Sequence, residues 1–300
     1  MKVAIARTIE LTCSTTHPGT NNKNTYHLNE TGDQVYRDFW KFLLTSANKY
    51  TRLPTIITFN YDLVFERSLH QLLIGTYFNQ INNLILIEKF RLNYHVHNIP
   101  SIVYEIENSV FYGAEMRGIH GKILKPSKIN QDISMPDIDI LKLHGSLNFP
   151  KKAERDPVEF AYNITKPVES PFILPPVFNK MSSDIPTKMW KVAMRKLSEA
   201  KNIIVVGYIL PKTDIYMQYF LKAALGPNLN LNNIFVFDPI LYTDSPARKA
   251  MMDRYKSCFT ENLINRIIFN PDSRNIRTTQ YGTTKHFVDL LENNKAGLIF

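Results

Sequence analysis

Cysteine is almost missing from this chain: Cys13 and Cys258 are the only two among 300 residues. Two thiols build neither a disulfide framework nor a four-cysteine zinc ribbon. Long hydrophobic runs are missing too. The longest, Ile203–Leu210 and Leu84–Ile87 with its neighbours, fall well short of the roughly 20 apolar residues that a bilayer span requires. The apolar stretch Val3–Ala6 stops at Arg7, too short for a secretory core, so a cytoplasmic location is expected and no membrane partner. Glycine is scarce at the start, where Gly19 and Gly32 are the only two in the first fifty residues. No internal repeat or low-complexity tract is present, which sets aside solenoid architectures.

What is there is an ordinary folded composition, 44% hydrophobic, 12% aromatic and 21% charged, which excludes a disordered or fibrous chain. Thirty-six Lys and Arg against 27 Asp and Glu leave a formal charge of +9. Such a surplus attracts polyanions. It is spread along the chain, with short clusters only at Lys122/Lys125/Lys128 and Lys151/Lys152/Arg155. We therefore read it as a solvated basic surface, with no nucleic-acid partner expected. A nucleic-acid groove would instead give affinity that falls steeply with salt.

Four short runs rich in Ile, Val and Phe read as strands buried on both faces: Thr55–Phe59, Asp139–Leu143, Ile203–Gly207 and Ile234–Phe237. Helical periodicity surrounds them. Val35, Phe39, Phe42, Leu43 and Ala47 share one face between Asp33 and Tyr50, and Trp190, Ala193, Met194 and Leu197 share another after Thr187. Thr213 and the pair Ser245-Pro246 read as caps of two further helices. This alternation predicts an α/β fold on a parallel sheet. The segment 76–136 lacks the alternation and is expected to be a smaller inserted helical subdomain, leaving 1–75 and 137–300 as the main domain. The proline-dotted stretch Asn148–Pro176 is expected to be a long irregular loop or lid.

Each expected strand runs straight into polar residues. The first leads to Asn60-Tyr61-Asp62, the second to His144-Gly145-Ser146, the third to Gly207-Tyr208 and then Pro211 and Asp214, the fourth to Asp238-Pro239. Ligands of open parallel sheets bind outside the carboxyl ends of the strands, so these four groups are expected to converge on one crevice. Each also has a plain structural reading. Asn60 and Asp62 serve as turn and cap residues of a helix over Leu63–Leu73, His144 as a structural imidazole, and Gly207 as a strand terminator. Gly145 lets the backbone come close to a ligand.

Thr58-Phe59-Asn60-Tyr61-Asp62, Lys142-Leu143-His144-Gly145-Ser146 and Val205-Val206-Gly207-Tyr208, followed by Leu210-Pro211 and Asp214, stand in the order of the sirtuin-like signature. The segment Phe172–Lys180, with Pro175-Pro176 and Asn179-Lys180, also resembles the family between histidine and third motif. The chain is most similar to the NAD-consuming branch of bacterial antiphage defence proteins, over roughly Pro54–Pro239. The resemblance implies a Rossmann-like parallel sheet with helices on both faces. It implies an NAD glycohydrolase that releases nicotinamide and ADP-ribose, acting as an antiviral defence effector. Asn60 would position the water or the ribose hydroxyls, and His144 would act as general base. Asp62 would orient the nicotinamide ribose, Gly207 and Tyr208 would pack on the adenosine half, and Asp238 would lie near the adenine ribose. NAD is then the substrate, no metal is involved, and a second copy or a defence-system protein is the expected protein partner.

The chemistry suits these residue types. Breaking the nicotinamide bond passes through an oxocarbenium-like state, and the cationic nicotinamide leaves without needing a proton. A neutral amide can orient water, and an imidazole with an ordinary pKa of about 6.5 can take its proton. Two departures from the family stand beside this. The cysteines cannot supply the zinc module of the deacylating members, and no glycine-rich diphosphate loop precedes Asn60. Either the chain starts inside a longer enzyme, which is our expectation, or another segment binds the diphosphate. The alternative function is a non-catalytic sensor of NAD or ADP-ribose within a larger assembly.

Overall fold

Five stretches of alternating or continuous apolar residues meet in the first sheet of the protein, seen here in a computed structural model. It describes residues 30–46, 53–74, 89–96, 99, 101–113, 116–127, 135–150, 160, 164–174, 184–269, 271 and 282–293. The chain divides into two compact units, Met1–Met189 and Trp190–Phe300. Both mix helices with sheets that contain parallel strands.

In the first unit, α1 (Glu30–Ser46) precedes β1 (Ile56–Thr58) and α2 (Val64–Ile74). Tyr36 and Phe39 of α1 pack on Phe65, with ring centroids 5.0 and 5.9 Å away, and the Trp40 indole N–H donates to the Phe65 carbonyl at 3.0 Å. The buried face of α1 is Phe39, Trp40, Leu43 and Leu44; of the expected stripe, Phe39 and Leu43 are buried, Val35 and Phe42 are half-buried, and Ala47 lies outside the described residues. Next come β2 (Lys89–Asn93), β3 (Ile102–Gly113), β4 (Met116–Ser127) and β5 (Asp137–Lys142). The sheet order is β1-β5-β2-β3-β4. β5 lies between β1 and β2 and is parallel to both, with Thr58 opposite Lys142 and Leu92 opposite Ile138. β2 and β3, then β3 and β4, are antiparallel. An interior position between two parallel neighbours accords with the burial of β5 along almost its whole length, as its run of isoleucine and leucine requires.

A short antiparallel pair, β6 (Gly145–Pro150) and β7 (Pro171–Ile173), follows. Leu63, Leu147 and Ile173 form a small buried cluster there, with Tyr61 against it. Helix α3 (Asp184–Glu199) carries the unit boundary.

The second unit holds a three-stranded parallel sheet in the order β10-β9-β8. β8 (Asn202–Val206) leads through α4 (Ile215–Leu225) to β9 (Asn233–Phe237). A 3-10 turn (Pro239–Tyr242), α5 (Pro246–Cys258) and α6 (Glu261–Ile264) then lead to β10 (Ile267–Phe269), and α7 (Thr284–Glu292) closes the described chain. Asp214, not the expected Thr213, caps α4, and Pro246 opens α5 after Ser245, whose side chain makes no cap hydrogen bond. Trp190 meets Phe220 and Tyr216 edge-on, with centroids 4.8 and 5.1 Å apart, closing α3 over α4 within this unit.

Three expectations are corrected. The four expected strands all form, but their hydrogen bonds place β1 and β5 in one sheet and β8 and β9 in another. An apolar run specifies burial on both faces and leaves the pairing partner open, which is why a single sheet did not follow from it. Within 76–136 the described residues form β2, β3 and β4 rather than helices. In β2, Phe90 and Leu92 are buried while Lys89, Arg91 and Asn93 are half-buried, a two-residue period that belongs to a strand. The proline-dotted stretch Asn148–Pro176 begins in β6 and contains β7 near its end, so its flanks are paired strands, while 151–159, 161–163 and 175–176 lie outside the described residues.

Candidate functional site

The turns leaving β1 and β5 sit side by side. The Leu143 N–H donates to the Thr58 carbonyl at 3.0 Å, extending the parallel ladder past the strand ends. Thr58 Oγ1 accepts from the Asn60 N–H at 3.1 Å, and Asp62 Oδ1 accepts from the Val64 N–H at 3.1 Å. This second bond is the cap expected of an aspartate before a helix, and it starts α2. Asn60 is exposed between them.

His144 is only 8% exposed. Its ring lies 5.2 Å from Phe59 and 6.0 Å from Tyr61, the two residues that flank Asn60. The His144 carbonyl accepts from the Leu174 N–H at 2.8 Å, and the Tyr61 hydroxyl donates to the Leu174 carbonyl at 2.7 Å. Burial raises the Tyr61 phenol above its ordinary value, which keeps that donor protonated. The imidazole is thereby held by aromatic faces on the β1 turn and by its own backbone on the segment after β7.

Gly145 follows at φ +87°. A Cβ there would fall on the Phe172 carbonyl, so the close neighbour that glycine admits is the chain's own β7. The remaining family-like residues Pro175, Pro176, Asn179 and Lys180 lie outside the described residues, as do Gly19 and the segments 75–88 and 1–29.

Behind this tip lies a buried polar cluster that sequence reasoning missed. The Lys142 ammonium donates to the Asp62 carbonyl at 2.5 Å and to Ser146 Oγ at 2.9 Å, and pairs with Glu66 Oε1 at 2.9 Å. Lys142 and Glu66 are each 1% exposed. The Tyr94 hydroxyl donates to the same Glu66 oxygen at 3.0 Å. Burial, then the Glu66 charge, pushes the Tyr94 phenol well above its ordinary value, and the same causes raise Tyr104. Both phenols remain neutral donors. The available signal was a lysine inside the run Ile138–Leu143 of a strand buried on both faces, where an unpaired charge is costly.

In the second unit, Gly207, Tyr208 and Asp238 lie at the carboxyl ends of β8 and β9. Gly207 is exposed at φ +68°, with no heavy atom within 4 Å of where a Cβ would stand. Its N–H donates to the Phe237 carbonyl at 2.9 Å, joining the ends of the two strands. The Tyr208 hydroxyl donates to Asp214 Oδ2 at 3.0 Å, and burial followed by the Asp214 charge raises its pKa. The Tyr255 hydroxyl donates to the Tyr208 carbonyl at 2.5 Å. Asp238 is buried and accepts the Ile240 N–H at 2.9 Å, capping the 3-10 turn. Asn60, Asp62, His144 and Gly145 are thus grouped within the first unit, and Gly207, Tyr208 and Asp238 within the second.

No family model matches the chain, and no curated protein is significantly similar to it. Among the described residues, no helix is long and apolar enough to cross a membrane, and no group of three or more His, Cys, Asp or Glu side chains is placed to hold a metal ion.

Proposed function

We propose that the protein is a sirtuin-like NAD glycohydrolase on a Rossmann-like frame, with NAD as substrate and nicotinamide and ADP-ribose as products. What supports the reading is the adjacency of the β1 and β5 turns, where His144 packs against the two aromatic residues that bracket Asn60. An amide and an imidazole at neighbouring strand ends suit a reaction that needs an oriented water and a proton acceptor but no acid. In this reading Asn60 orients the water or the ribose hydroxyls, and His144 takes the proton. Asp62 and Gly145 shape the ribose side. The cellular role would be that of a cytoplasmic antiviral effector, working with further copies of itself or with a defence-system partner.

The test is nicotinamide release from NAD by the full chain. Loss of a positioned general base lowers such rates by about 10²–10⁴-fold, and that drop is expected for His144→Ala and for Asn60→Ala. Turnover that survives both substitutions would remove these residues from the mechanism. The second reading is a sensor that binds ADP-ribose without turnover. Calorimetric binding of ADP-ribose by a protein that releases no nicotinamide would select this second reading.

A further inference from the structure

We infer that the buried Lys142 ammonium is a positioning residue that locks the Asn60–Asp62 turn to the His144–Ser146 turn. The inference rests on the reading above for its catalytic meaning. An ammonium has three N–H donors, and here all three find oxygen: the Asp62 carbonyl, Ser146 Oγ and Glu66 Oε1. Two of these acceptors lie on the two turns that carry the candidate amide and imidazole. Ser146 passes the tie onward, its hydroxyl donating to the Tyr61 carbonyl at 3.3 Å, and the Leu147 N–H donates to the same carbonyl at 3.0 Å. Every residue from Tyr61 to Asp62 is therefore anchored, directly or through Ser146, to a nitrogen that belongs to the last residue of β5.

The third acceptor explains how a charge is tolerated there. Glu66 sits in the first turn of α2 and supplies the counter-charge, and Tyr94 holds its carboxylate from the β2 side. Stability alone does not call for this arrangement, because apolar side chains of similar volume fill such a space at no greater cost than a buried ion pair. Directionality does: two hydrogen bonds from one atom, one to each turn, fix the distance between the turns in a way that methylene contacts do not. The Lys142 side chain acts through Asp62 and Ser146 and has no place among the reacting atoms.

The double variant Lys142→Met/Glu66→Gln removes both charges together and keeps an acceptor for Tyr94. The full chain carrying it is expected to unfold cooperatively. Amide exchange in 60–64 and 144–147 is expected to rise about tenfold over the wild type, while β8–β10 stay unchanged. In the NAD assay its kcat is expected to fall by about 100-fold with little change in KM, the signature of misplaced groups rather than lost binding. A folded double variant with wild-type exchange in both segments overturns the inference. Exchange is read without NAD, so a wild-type protein that releases no nicotinamide would count against the glycohydrolase reading alone. Should the double variant not fold, Ser146→Ala keeps both charges and severs the Lys142–Ser146 bond together with the onward tie to Tyr61. Raised exchange in 60–64 then supports the inference, and unchanged exchange overturns it.

Discussion

A charged side chain at 1% exposure obliges its neighbours to answer for it. Lys142→Ala alone would leave the Glu66 carboxylate buried without its partner, and a loss of about 3–5 kcal/mol is expected from urea unfolding. Lys142→Met/Glu66→Gln should lose clearly less than that single change. An equal or greater loss would mean that the charges stabilise the fold in their own right. The lysine was legible in the strand as an anomaly, but its partner was not, because Glu66 belongs to a helix distant in sequence whose contact with Lys142 no local pattern reports. His286 tells a similar story in the second unit. Fully buried, it accepts the Gly282 N–H on Nδ1 at 3.0 Å, and burial lowers its pKa despite the opposing Asp289 charge. The unfolded chain then binds the proton more readily. Stability is complete above the ordinary value of about 6.5 and is lost as pH falls from there through the lower folded value. His286→Asn keeps an acceptor and cannot titrate, so its stability should be flatter with pH across that window; an unchanged slope would assign it to other groups.

At the scale of elements, strand identity was readable and strand partnership was not. The four runs Thr55–Phe59, Asp139–Leu143, Ile203–Gly207 and Ile234–Phe237 all overlap strands, although β1 and β8 are half-buried throughout rather than buried on both faces. Their division into two sheets depends on backbone pairing, to which side-chain pattern is nearly blind. β2 was within reach, because Lys-Phe-Arg-Leu-Asn alternates strictly, but its short length hid it among tyrosines and asparagines. The two glycines after strands give a test of what each element needs. Gly145 combines φ +87° with the Phe172 carbonyl where a Cβ would be, whereas Gly207 has φ +68° and open space. Gly207→Ala should cost only the left-handed strain of about 1–2 kcal/mol. Gly145→Ala should cost measurably more, because β7 must also move away from β6. Equal losses in thermal or chemical unfolding would contradict the packing role assigned to Gly145.

For the whole molecule, the candidate site is legible in order along the chain and only partly in space. Asn60 and His144 belong to neighbouring parallel strands, and Thr58 opposite Lys142 sets their turns level. That adjacency could be guessed from two polar turns after two apolar runs. Gly207, Tyr208 and Asp238 form a comparable rim on a sheet of a separate unit, a division that composition does not signal. Their side chains are already engaged locally, Tyr208 with Asp214 and Asp238 with Ile240, as the plain structural reading of cap and turn residues anticipates. The first unit therefore carries the chemical claim. Nicotinamide release by the wild-type chain, compared in one assay with folded His144→Ala protein, tests it most directly: the account requires turnover in the first and its near-complete loss in the second, and equal rates would contradict it.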